Sequence, residues 1–165
     1  MAAARVDMLL AAARRAQPIV SLRAFDGFVA VTLADGAQEL VRPEPDAADR
    51  RREVAGPNAM LVAALQWLAA DCFKELDVTE RLVAADARMF GAEGAGAVLA
   101  FKRAWLRDGA ASYDVDAVHE VDARSRTVVA GFECLIPGKE GRGTDVIQFN
   151  ERLQVALVQA VRHGL

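Results

Sequence analysis

Residues 113–137 read YDVDAVHEVDARSRTVVAGFECLIP, and the way this stretch folds decides the rest. It sets Asp114, Asp116, His119, Glu120 and Asp122 close together, with Cys134 following. Two strand-like runs flank Ala123–Arg126, which predicts a hairpin in which Asp122 pairs with Thr127. Strand side chains alternate between faces. Tyr113, Val115, Ala117, His119 and Val121 then face one way, against Val128, Ala130, Phe132, Cys134 and Ile136. Asp114, Asp116, Val118, Glu120 and Asp122 face the other. The histidine and the carboxylates are on opposite sides of one strand and do not converge on a metal. In this register Cys134 stands opposite Val115, about 13 Å along the strand from His119. A thiolate–imidazole pair needs about 3 Å, so no dyad forms. His119 is expected inside, as a structural or ligand-facing imidazole, because an imidazole on an apolar face needs a partner or a pocket. Asp114, Asp116 and Glu120 are expected in solvent. Asp116 and Glu133 are cross-strand candidates for paired carboxylates, but exposed acids lack the raised pKa that general acid work needs.

Upstream, residues 4–16 make a short amphipathic helix with Val6, Leu9, Leu10 and Ala13 on one side, ended by Pro18. Two strand-like runs, 19–25 and 28–34, meet at Asp26-Gly27, and a second Asp-Gly at 35–36 leads into a third strand over 38–43. Residues 44–57 form a long polar loop whose Arg50, Arg51 and Arg52 are balanced by Asp46, Asp49 and Glu53. NAMLVAALQWLAADCFKEL (58–76) starts with Asn58 as N-cap and has only Gln66 polar between Ala59 and Ala70. A helix apolar nearly all round is buried on most sides, so this is the central helix.

Residues 78–90 fit a helix or a strand; 97–107 read as a strand and DGAAS (108–112) as a turn. The glycines of GAEGAG (91–96) do not make a dinucleotide loop. GKEGRG (138–143) reads as a loop into a terminal helix from Asp145 to His163, with Asp145 as cap and Gly164 as terminator. Val155 and Val158 widen that helix's apolar face enough to meet a second subunit. Gly138 and Gly143 have Walker spacing, but Lys139 is misplaced for it. Lys139 and Arg142 remain a possible anion contact at the helix start.

The fold class that follows is α+β: a single domain over 1–165, with an antiparallel sheet of five to six strands, a buried central helix and helices at both termini. Net charge is −3 and the pI near 5.4, so no basic field exists to hold nucleic acid. The longest apolar run, about 12 residues, falls short of the roughly 20 that span a bilayer. Cys72 and Cys134 lie in no metal spacing and suit a reducing, cytoplasmic setting. The skew towards alanine, and towards arginine over lysine, is that of a GC-rich bacterial genome. Neither a cofactor nor a stoichiometric metal is implied.

GPNAMLVAALQWLAADC followed by antiparallel strands resembles the hot-dog fold of acyl-thioester hydrolases and dehydratases. In the dehydratases that helix carries an acid; Val62 and Ala63 stand there instead, and no histidine lies upstream. DAVHEVDARSRTVVAGFECLIPG with a terminal helix is similar in rhythm to auxiliary lipoproteins of bacterial ABC transporters. The order of elements resembles that of small acidic secretion chaperones. With two histidines and no catalytic motif, the expected function is a non-catalytic accessory protein, a homodimer. It would hold a protein partner or an apolar small ligand at His119, Trp67, Cys134 and Phe132. The alternative is a hot-dog enzyme acting on acyl thioesters.

Overall fold

In the computed structural model, which describes residues 4–108 and 113–163, the front of the chain follows its sequence signals. Helix α1 (Ala4–Ala13) buries Val6, Leu9, Leu10 and Ala13 and ends ahead of Pro18. Strands β1 (Ile19–Phe25) and β2 (Phe28–Leu33) pair across Asp26-Gly27, where Gly27 takes the φ of 76° that the turn requires. Strand β3 (Gln38–Val41) returns beside β2 after Asp35-Gly36. The polar segment 44–57 is tied down by its arginines: Arg50 pairs with Asp7 and Glu75, and Arg52 with Asp46 and Asp49.

Helix α2 (Ala59–Cys72) is buried at every position from Leu61 to Cys72. Asn58 stands at the N-cap as expected, its carbonyl accepting from Val62 N, but its side chain makes no capping bond. Its amide oxygen accepts from Ile19 N, and its nitrogen donates to the carbonyls of Arg15 and Gln17, fixing α2 to the link between α1 and β1.

The second half departs from expectation. Residues 78–90 supply both alternatives, helix α3 (Leu76–Leu82) and then strand β4 (Val83–Met89), followed by the short β5 (Ala92–Glu93). The stretch read as a strand over 97–107 is helix α4 (Ala95–Asp108). Strands β6 (Tyr113–Asp122) and β7 (Thr127–Cys134) form the expected hairpin. The terminal helix does not exist. Its residues make β8 (Gly141–Phe149) and β9 (Val155–Arg162), folded back at an Asn150 turn. There the Asn150 side-chain oxygen accepts from the backbone of Arg152 and Gln154, and Leu153 adopts a φ of 57°. Val155 and Val158, expected at an exposed seam, are core residues. The DGAAS turn beyond Asp108, and Gly164, lie outside the described residues.

Among the described residues the sheet has nine strands in the order β3-β2-β1-β6-β7-β8-β9-β4-β5, antiparallel except for the β4–β9 pair. The expectation of five to six antiparallel strands is corrected on both counts. The added strands come from the terminal segment and from residues 83–93. Helices α1 and α2 share one buried core with the sheet. Among the described residues no helix is long and apolar enough to cross a membrane.

The hairpin keeps its predicted pairing only near the turn. Asp122, Val121 and Glu120 sit opposite Thr127, Val128 and Val129, as alternation requires. His119 and Asp116 are then extra residues in two bulges, so Val118 pairs with Ala130, and Val115 with Phe132 rather than Cys134. Each bulge turns the following residues over. The first brings Val118 inward beside the partly buried Val121 and leaves His119 exposed; the second restores the original order, so Val115 faces inward as expected. Asp114, expected in solvent, keeps its face but is only 3% exposed and pairs with Arg5 of α1 at 3.2 Å.

Candidate active site

Six elements converge on a cavity of about 370 Å³, within the size range of small-molecule sites. Helix α2 contributes Trp67 and Asp71, four residues apart and so on one helical face. Helix α4 closes one side with Phe101, Lys102 and Trp105. Lys102 lies on the helix's buried stripe, between Val98 and Leu106 at helical spacing. Tyr113 enters from β6, Phe132 and Cys134 from β7, and Asp145 from β8. Val158, Ala160 and Arg162, alternate residues of β9, complete the wall.

Phe132 reaches across β8 because its opposite neighbour there is Gly143. A Cβ at Gly143 would stand 2.3 Å from the Phe132 ring. Gly143→Ala is therefore expected to force the ring out of place, costing about 1–3 kcal/mol by overpacking. Thermal denaturation and a structure of the variant, with the Phe132 ring rotated into the cavity, would check this.

Inside, Lys102 Nζ donates to Asp71 Oδ2 at 2.5 Å. The ammonium also lies 4.9 Å from the Trp67 ring centroid and 5.5 Å from that of Trp105, where the ring faces favour a cation. The single Tyr113 hydroxyl proton is shared between the Leu68 carbonyl at 3.0 Å and Asp71 Oδ2 at 3.3 Å. Burial raises the Asp71 carboxyl above its ordinary range, against the pull of Lys102 and Tyr113. Burial, with Asp71 adding to it, also raises the Tyr113 phenol well above its usual value, so it stays protonated. Asp71 Oδ1 is buried and has no partner among the described residues.

Asp145 stands apart from this network. It sits mid-strand between Ala130 and Ala160, and among the described residues no hydrogen bond or ion pair reaches its carboxyl. Burial pushes its pKa to about 7; Lys102 works against the shift and Asp71 adds to it. A carboxyl in that range exchanges its proton near neutral pH, which suits a general acid or base.

Of the residues singled out from sequence, Trp67, Phe132 and Cys134 line this cavity. His119 does not: it is exposed, and with the half-buried Asp116 it closes over Gly131. Lys139 and Arg142 are exposed and outside the cavity, and Arg142 lies in β8, which offers no helix dipole. Asp71, Lys102, Tyr113, Asp145 and Arg162 were missed. One signal was available, a charged Asp71 closing an otherwise apolar helix. Lys102 and Asp145 were hidden because the segments carrying them were assigned to the wrong secondary structure.

No protein-family model matches the chain, and no curated protein matches its sequence. Solved structures do. A protein of unknown function with a cystatin-like fold, from Methylobium petroleophilum PM1, aligns with a TM-score of 0.56 at 14% identity, covering 68% of this chain and 81% of its own. A steroid delta-isomerase from Pseudomonas aeruginosa gives 0.53 at 17%, covering 64% and 80%. An NTF2-like protein from Cytophaga hutchinsonii gives 0.50 at 8%, covering 68% and 94%. The likeness is one of fold alone.

That fold corrects both functional expectations. The hot-dog enzyme falls because the chain is similar to NTF2-like and cystatin-like structures, an isomerase among them. The terminal helix behind the lipoprotein and chaperone resemblances is a pair of strands. The non-catalytic holder rested on a lack of titratable groups near the core, and the cavity brings together Asp71, Lys102, Tyr113 and Asp145.

Proposed function

We propose that the cavity is the active site of an enzyme that moves a proton on a small, largely apolar carbonyl compound. The observation that carries the reading is Asp145, a carboxyl without a partner among the described residues, in an aromatic cavity that also holds a fixed ammonium group. An apolar ring or chain packs against Trp67, Trp105 and Phe132. Asp71 takes one N–H of Lys102, leaving two N–H donors to hold a ligand carbonyl oxygen. Asp145, ionised, takes a proton from the carbon next to that carbonyl. The negative charge that develops on oxygen is met by the ammonium, in a site that largely excludes water. Asp145 then returns the proton to the same carbon or to one conjugated with it. Tyr113 anchors Asp71 and so keeps Lys102 in place. Cys72 takes no part as a nucleophile, since burial raises its thiol.

The reading is tested by incubating the protein with 2-tetralone and related cyclic ketones in D₂O and following loss of the α-proton signals by NMR. Exchange at least about 100-fold faster than in buffer is expected, in line with the usual contribution of a positioned base. The rate should rise with pH through about 7, as Asp145 ionises. Exchange no faster than buffer across such a panel, or a flat profile between pH 5 and 9, would overturn it.

A further inference from the structure

We infer that the substrate is an acid, and that Arg162 at the cavity mouth binds its carboxylate. This rests on the reading of the cavity as the substrate site and adds the chemical class.

The cavity has a dry end and a wet end. Trp67, Asp71, Lys102 and Tyr113 are all buried, whereas Phe90, Ala160 and Arg162 are exposed and form the mouth. The charges at the dry end are already matched, Lys102 against Asp71. Arg162 is not matched. Among the described residues no carboxylate pairs with it, and its guanidinium touches only the Lys139 carbonyl at 3.4 Å and the Cys134 sulfur at 3.7 Å. Those contacts leave donors over and hold the group beside the opening. A planar fork of N–H donors matches a carboxylate in both geometry and charge.

The strand register sets the length of the ligand. Asp145 is the cross-strand neighbour of Ala160, and Arg162 stands two residues further along β9. At the usual strand rise the cation's backbone is roughly 7 Å from the level of the proton-transfer group. About one six-membered ring separates two groups by that distance. The fitting molecule is an apolar ring ketone with its carbonyl at Lys102 and a carboxylate at the far end. Phe90 and Phe101, with ring centroids 5.6 Å apart, give the mouth an aromatic lip for the intervening ring.

The test is calorimetric titration with 2-naphthylacetate and 2-naphthylacetamide, which share shape and differ in charge. The acid is expected to bind about tenfold more tightly, a typical gain for a charge-assisted pair. That preference should shrink in high salt because the mouth is exposed. Arg162→Gln should erase the preference by weakening the acid's binding, and Arg162→Lys should retain most of it. Equal affinities in the wild type, a preference surviving Arg162→Gln, or no measurable binding of either compound would overturn the assignment. Acid preference without α-proton exchange on any ketone would keep the anion site and remove the proton-transfer reading. Exchange without acid preference would do the reverse.

Discussion

Asp145→Asn is expected to raise the stability of the protein above pH 7 while abolishing its proton transfer. In the folded chain burial holds this carboxyl at about 7, against 3.8 for an unperturbed aspartate. Between those values the unfolded chain has already released the proton that the folded chain keeps. The unfolded state therefore binds fewer protons, and stability falls as pH rises from about 4 to about 7, then levels off. A shift of that size corresponds to about 4 kcal/mol, an upper bound because the cavity opens to solvent. Asparagine fills the same space and never ionises. Below pH 4 the two proteins should melt together; at pH 8 the variant should melt several degrees higher, at about 2–4 °C per kcal/mol for a chain of this size. Exchange of ketone α-protons should drop at least about 100-fold. A melting difference that does not change with pH would mean that Asp145 is not held neutral by burial, and the catalytic assignment would go with it.

The contrast between the two halves of the chain has a physical cause. The front was legible because its signals are local: Asp-Gly turns, a proline stop and a helix with almost no polar position. The hairpin was legible only as far as strict alternation held. A bulge leaves no mark on a period-two pattern, and the first one turned His119 out; Asp114 keeps its predicted face and is buried where Arg5 of α1 pairs with it, a long-range contact that alternation does not report. Helix α4 was misread because the middle of its buried stripe is Lys102, a residue that a core-facing pattern does not predict. Strands β8 and β9 were misread because Val146, Phe149, Leu153 and Leu157 happen to recur at helical spacing. Asn150, a turn former, and the density of valine and isoleucine on either side were the opposing signals. The misread positions and the site coincide. Lys102 and Asp145 each break the local pattern of their element, as functional residues do when a core is opened to make a cavity. Trp67, Phe132 and Cys134 reached the cavity from sequence because apolar residues obey the same packing rules in a cavity wall as in a core.

Lys102→Met should be the most damaging single change, and Asp71→Asn with Lys102→Met together should be milder than Lys102→Met alone. Lys102 and Asp71 are each about 95% or more buried, and each is the other's charge partner. Removing the ammonium strands a carboxylate whose Oδ1 already lacks a partner among the described residues, where Tyr113 is the donor that remains. Breaking a buried pair from one side costs about 3–5 kcal/mol, because the charge left behind is uncompensated. For this chain length that is a fall in Tm of roughly 10 °C. The loss should ease in acid, where Asp71, its pKa raised by burial, takes up a proton and ceases to be a stranded charge. In the double variant both charges are gone; the amide that replaces the carboxylate still meets Tyr113, and the methionine packs between Trp67 and Trp105. Its Tm should recover at least half of the loss, giving a coupling energy of about 1 kcal/mol or more in the double-mutant cycle. Ketone exchange should stay absent, because nothing is left to polarise the carbonyl. A double variant that regains stability and also exchanges α-protons would separate catalysis from Lys102. Purely additive losses would show that the ion pair does not act as a unit.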